Sequence, residues 1–191
     1  MIDFNDILAS ESKYNFHSHS QYCDGRDTME NIVKSAVQSG FKHLGFSPHS
    51  PIPIPSPCNM SSDNVQSYIN EIERLKATYN DEISIYCSME IDYLDDWNAN
   101  NDYFQNLPLD YRISSVHFIP SFCNEGYVDV DGSFENFKIK MQKHFYNDIE
   151  GVIISFYTQT LNMIEAGGFD IIGHSDKIGF NANSFKPGVE N

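Results

Sequence analysis

Stretches that read as β-strands alternate with stretches that read as helices along this chain, and the residues able to do chemistry gather where the strands end. A strand, a helix and a further strand in that order usually form a crossover that re-enters the sheet in the same direction, so the alternation predicts an α/β fold with parallel strands. The expected strands are Tyr14–His19, Phe41–Ser47, Ile83–Ile91, Tyr111–Ile119 and Phe169–His174. Between the first two, Met29, Ile32, Val33, Ala36 and Val37 recur at helical spacing, which predicts a helix over Thr28–Gly40 stopped by Gly40. Val65, Tyr68, Ile69, Ile72 and Leu75 do the same for Ser61–Tyr79. Phe134–Gly167 reads as helix in two pieces. The segment PHSPIPIPSP, Pro48–Pro57, carries too many prolines for a helix or a central strand and reads as a surface loop. Asp92–Leu109 is polar, with room for a short helix, and Ser121–Ser133 reads as loop.

The polar residues at the strand ends are His17, His19, His49, Glu90, His117 and His174. In a β/α barrel all parallel strand ends open onto one face, so separate strands would deliver these side chains to one place. His17 and His19 are two apart, and residues two apart on a strand point to the same side. Asp24, in YCDG, is either a turn aspartate or a ligand on the loop above that strand. Glu90 ends an apolar run, where a carboxylate is costly to bury unless paired or metal-bound, and Asp92 competes with it for that role. His43, at the start of its strand, reads as structural, and His144 as a solvated helix residue. Imidazoles mixed with carboxylates suit divalent zinc, manganese or iron. Several such ligands on one rim point to two or three ions, which can bind phosphoryl oxygens and activate water.

Composition narrows the partners. Lys and Arg number 12 against 27 Asp and Glu, a net charge of −15. That surface argues against holding nucleic acid through phosphate contacts, and an anionic substrate would need bound metal or a few local cations. No run is apolar enough to cross a membrane, and the first residues, MIDFNDILASESKYNF, do not read as a signal peptide. Cys23, Cys58, Cys87 and Cys123 include no C-x-x-C pair and read as reduced thiols of a cytoplasmic protein. The phosphate-binding glycine motifs and the G-x-S-x-G nucleophile turn are absent.

Taken in order, NFHSHSQYCDG, GFSPHSP, SMEIDY, SSVHFI and IIGHSDKI resemble the PHP (polymerase and histidinol phosphatase) family, in its histidinol-phosphate phosphatase branch. The resemblance runs from Tyr14 to Lys177 and makes residues 1–191 a single PHP domain. It implies a distorted (β/α)7 TIM-like barrel with a trinuclear metal centre. It also implies metal-dependent hydrolysis of a small phosphorylated substrate, L-histidinol phosphate, to L-histidinol and phosphate in histidine biosynthesis. Carried over, His17 and His19 would hold one ion, with Glu90 bridging to a second. His117 and His174 would complete that second site, and Asp24 with His49 would hold a third ion. Glu90 and His117 would be the catalytic residues. No phosphate-binding arginine of the family maps onto this chain; Arg26, the one arginine close to a metal motif, and Lys177 in its place are the candidate substrate-binding cations. The family carries a further Asp-x-His motif after its last strand. Here Asp176 is followed by Lys177 and Ile178, and the sequence stops at Asn191. The expectation is therefore a C-terminally truncated barrel of roughly five of seven β/α units, with two ion sites each one ligand short. Its open edges would mean either a fragment of a longer protein or closure by pairing with another copy as a homo-oligomer. Two alternatives stay open: a PHP phosphoesterase for another small phosphorylated substrate, and a catalytically impaired metal-binding barrel fragment.

Overall fold

A computed structural model describes residues 2–186. A short helix α1 (Phe4–Ala9) leads into β1 (Lys13–Asn15), followed by α2 (Met29–Gln38) and β2 (Phe41–Phe46). Thr28 caps α2 by accepting a hydrogen bond from the Asn31 amide at 3.2 Å, and Gly40 closes it at φ +78°. Next come α3 (Val65–Thr78), β3 (Ser84–Cys87), β4 (Glu90–Asp92) and α4 (Asp102–Gln105). The chain continues through β5 (Ile113–Ser115), β6 (Phe118–Pro120), β7 (Tyr127–Asp129), α5 (Phe134–His144), α6 (Ile149–Ala166), β8 (Ile171–Ile172) and α7 (Ile178–Phe185).

Two parallel three-stranded sheets, β1-β2-β3 and β4-β5-β8, share a seam. The expected strand Ile83–Ile91 breaks at Ser88 and Met89, so that β3 pairs with β2 while β4 pairs with β5. The buried Tyr68 hydroxyl sits at this break, 2.9 Å from the Phe46 carbonyl oxygen and 2.7 Å from that of Ser88. Backbone bonds from Ser88 to Phe46 and from Ile113 to Met89 carry the pairing across it. Helices α2 and α3 cover the first sheet, burying Met29, Val33, Ile72 and Leu75 against Leu44 and Phe46. Helices α5, α6 and α7 enclose a second core with Phe137, Met141, Phe156 and Ile178. Ile154, Tyr157, Leu161 and Ile164 of α6 remain exposed.

Three expectations change. The first strand ends at Asn15, so His17 and His19 sit in the extended segment beyond it. The Pro-rich loop is not wholly superficial: residues 48–51 are buried, and His49 forms a parallel bridge with Glu90. The expected strand Tyr111–Ile119 divides into β5 and β6, and β6 turns back as an antiparallel hairpin with β7 inside the segment read as loop. Three-residue strands are too short to show a period in the sequence. No helix among the described residues is long and apolar enough to cross a membrane.

Candidate metal centre

The extended segment after β1 is pinned to the end of β2. Ser47 Oγ accepts from the Ser18 amide at 3.2 Å and lies 2.7 Å from His17 Nδ1. The turn that follows folds back on itself, with the Gln21 amide donating to the Asp27 carbonyl at 3.0 Å. Gly25 packs directly against the backbone of His19 and Ser20, where a Cβ has no room. This brings Asp24 Oδ1 to 2.7 Å from His19 Nδ1. On β4, Glu90 and Asp92 are two residues apart, so both point to one side, and both are fully buried. His117 arrives from the junction of β5 and β6, and His174 from just beyond β8.

Glu90 is the hub. Its oxygens lie 2.8 Å from His174 Nε2, 3.1 Å from His19 Nε2, 3.5 Å from His49 Nδ1 and 3.7 Å from Nε2 of both His17 and His117. The Ser115 hydroxyl donates to the same carboxylate at 2.6 Å. Asp92 contacts His117 Nδ1 on one side and the Asn59 amide on the other. Donor atoms converge, each set within 4.8 Å, as His17-Glu90-His174, His19-His49-Glu90, His49-Asp92-His117 and His19-Cys23-Asp24. His49 Nδ1 is buried without a hydrogen-bond partner and lies 3.5 Å from both Glu90 and Asp92. An orphaned imidazole nitrogen facing two carboxylates, within a ring of imidazoles around one buried anion, is a donor set that fits divalent cations.

Without metal, protons must balance this charge. Burial opposes the ionised form of Glu90, but His174 and His19 outweigh it and hold the carboxyl far below the usual carboxylate range. Asp92, likewise opposed by burial, is held down to about 2 by His117 and His49. Burial lowers His117, yet Asp92 and Glu90 push it up to about 9. For His19, burial is outweighed by Cys23, Glu90 and Asp24, and it rises to about 11. His17 is lowered, because burial and the neighbouring imidazoles exceed the pull of Glu90. The raised imidazoles contribute stability that is complete below their ordinary 6.5 and lost as pH rises through about 9 for His117 and about 11 for His19. The depressed carboxylates contribute stability above their ordinary values near 4, lost as pH falls. Metal-free protein is therefore expected to lose thermal stability as pH climbs from 6.5 past 9. Saturating zinc, which binds neutral imidazole, should remove that loss. Melting curves against pH with and without zinc check this, and a metal-free melting temperature flat over that interval would contradict it.

His17, His19, Asp24, His49, Glu90, His117 and His174 all line one cavity of about 480 Å³. Lys177 lines it too, its Nζ 3.3 Å from Asp131. Arg26 is exposed and is not among the lining residues; the backfolded turn presents Asp24 inward instead. In and behind this cavity are residues that sequence reasoning missed. Asp131, 3.6 Å from His117 Nε2, comes from the end of the unforeseen β6–β7 hairpin, and burial raises its pKa. Ser47 and Ser115, which position His17 and Glu90, have no spacing signature. Asp92, weighed against Glu90 in the sequence, stands beside it.

A family profile described as PHP domain matches residues 15–190. The histidinol-phosphatase of Bacillus subtilis is 28% identical over 162 residues, covering 78% of this chain and 59% of that protein. A solved structure from Listeria monocytogenes superposes with a TM-score of 0.77 at 21% identity, covering 91% of this chain and 71% of its own. The structure of histidinol phosphate phosphatase from Lactococcus lactis, complexed with zinc, L-histidinol and phosphate, gives a TM-score of 0.66 at 22% identity. It covers 88% of this chain and 60% of that one. The chain spans less than three fifths of the length of the curated relatives it matches, from 39% to 59%. With the profile covering nearly every described residue, the chain belongs to the PHP domain family.

Proposed function

We propose that this chain carries the metal-binding half-shell of a phosphomonoesterase acting on L-histidinol phosphate. The observation that carries the reading is the buried Glu90 ringed by five imidazoles, in a cavity that also presents one cation, Lys177. In place of the pairings the resemblance implies, His17, Glu90 and His174 would hold one ion, His49 with His117 a second, and His19 with Asp24 a third, with Asp92 standing behind His117. When bound, such ions supply positive charge for phosphoryl oxygens and make water a nucleophile near neutral pH. The chain's own residues do the rest. Asp92 fixes the His117 ring so that Nε2 faces the cavity. Ser47 and Ser115 orient His17 and Glu90. Lys177, held by Asp131, gives a point charge for the substrate phosphate. Asp129 and Asp131 make the wall beyond it acidic, which suits a substrate with an ammonium group.

The choice of substrate rests on the Bacillus and Lactococcus relatives and is tested by a panel. Phosphate release from L-histidinol phosphate should exceed that from a nucleoside monophosphate or a sugar phosphate by at least tenfold in kcat/KM. Equal rates would leave the phosphoesterase chemistry and remove the substrate. Lys177→Ala should raise KM about tenfold with a smaller change in kcat, the size of one lost charge-assisted hydrogen bond. An unchanged KM would take Lys177 out of the substrate site.

A further inference from the structure

A second set of metal-type donors lies outside the candidate centre and shares no residue with it. Cys123 and Glu125 sit in the turn of the β6–β7 hairpin, and His144 is the last residue of α5. One donor atom from each falls within 4.8 Å of the others. The turn is tied to the helix end, since the Phe122 amide donates to the His144 carbonyl at 3.0 Å. It is also braced internally, with the Glu125 amide donating to Ser121 Oγ at 2.7 Å. Glu125 Oε2 approaches His144 Nδ1 to 3.1 Å, yet Nδ1 is buried and makes no hydrogen bond. Cys123 is a free thiol. A cleft of about 270 Å³, lined by Pro55 and Pro57 of the Pro-rich loop, reaches Glu125 and His144.

We propose that Cys123, Glu125 and His144 form an additional binding site for a thiophilic divalent cation of the zinc type. One sulfur, one nitrogen and one carboxylate oxygen make three of the four positions a tetrahedral ion needs, leaving the last for water. Binding would release the Cys123 thiol proton to solvent and join the hairpin to α5. That hairpin carries Asp129 toward the candidate centre, so the ion would steady one wall of the cavity.

Cobalt(II) tests this, because thiolate ligation gives a charge-transfer band that imidazole and carboxylate do not. Metal-free full chain titrated with cobalt should develop the band. Cys123→Ala should lose it and bind one fewer ion per chain. His144→Gln should weaken that same ion at least tenfold, and Glu125→Gln should weaken it less. Metal-free melting temperatures of the variants should match the parent, which a purely structural role for Cys123 would not give. No band in the parent protein, a band and ion count that survive Cys123→Ala, or a band lost in Cys23→Ala instead would each overturn the proposal.

Discussion

Glu90→Gln is expected to lower phosphate release from L-histidinol phosphate by about a thousandfold, the upper end of what one lost electrostatic group costs an active site. The substitution keeps the shape and removes the one buried charge that all five imidazoles face. Bound metal should fall with it. Asp92→Asn should cost less, about 10–100-fold in metal affinity, because Asp92 acts largely by orienting His117. Kinetics and metal content on the same purified variants check both. A Glu90→Gln protein with parental kcat/KM would contradict the reading of Glu90 as the hub.

Spacing alone did not rank the two carboxylates; the motif resemblance put Glu90 first, with Asp92 as its competitor. Residues two apart on a strand share a face, so Glu90 and Asp92 look equivalent until β4 is seen to start at Glu90 and the neighbouring rings to surround it. The histidines were legible for a different reason. His17, His49 and His174 sit where an apolar run meets Ser, Pro or Gly, and those punctuation marks locate strand ends even when strand lengths are misjudged. The hairpin was not, since its strands are three residues long and its turn, SFCNEG, looks like any loop. Asp131 was lost with it. Arg26 shows the opposite error: nearness to a motif in sequence did not bring it to the cavity, because the turn at Gly25 reverses the chain between Asp24 and Arg26.

Gly45→Ala should destabilise the fold by about 1–3 kcal/mol, the cost of overfilling a packed interior. That corresponds to a melting temperature lower by about 2–4 °C for each kcal/mol in a chain of this size. Gly45 lies in β2, and a Cβ there would collide with the Tyr111 hydroxyl and meet the Phe16 Cα at 3.2 Å. Tyr111 is 1% exposed and cannot swing into solvent. Its hydroxyl donates to the Phe16 carbonyl, just before His17, so the cross-brace ties the core to the metal-facing segment. The collision predicts coupling as well as a loss. Tyr111→Phe alone should cost about 1 kcal/mol for the lost hydrogen bond. Combined with Gly45→Ala it should cost less than the sum, because the nearest clashing atom is gone and only Cζ, at 2.9 Å, still crowds the new Cβ. Thermal melts of the two single variants and the double variant measure this, and strictly additive losses would show that Gly45 and Tyr111 do not meet as described.

If this chain gathers divalent ions around Glu90 and uses them to hydrolyse a phosphate ester, bound metal and turnover should rise and fall together. The most direct test is metal content and phosphate release from L-histidinol phosphate, measured on one sample before chelation, after chelation and after zinc or manganese is restored. Two or more ions per chain are expected at the start, with no release once they are removed and recovery on restoration. Undiminished release from metal-free protein, or a chain that binds no divalent ion at all, would contradict this.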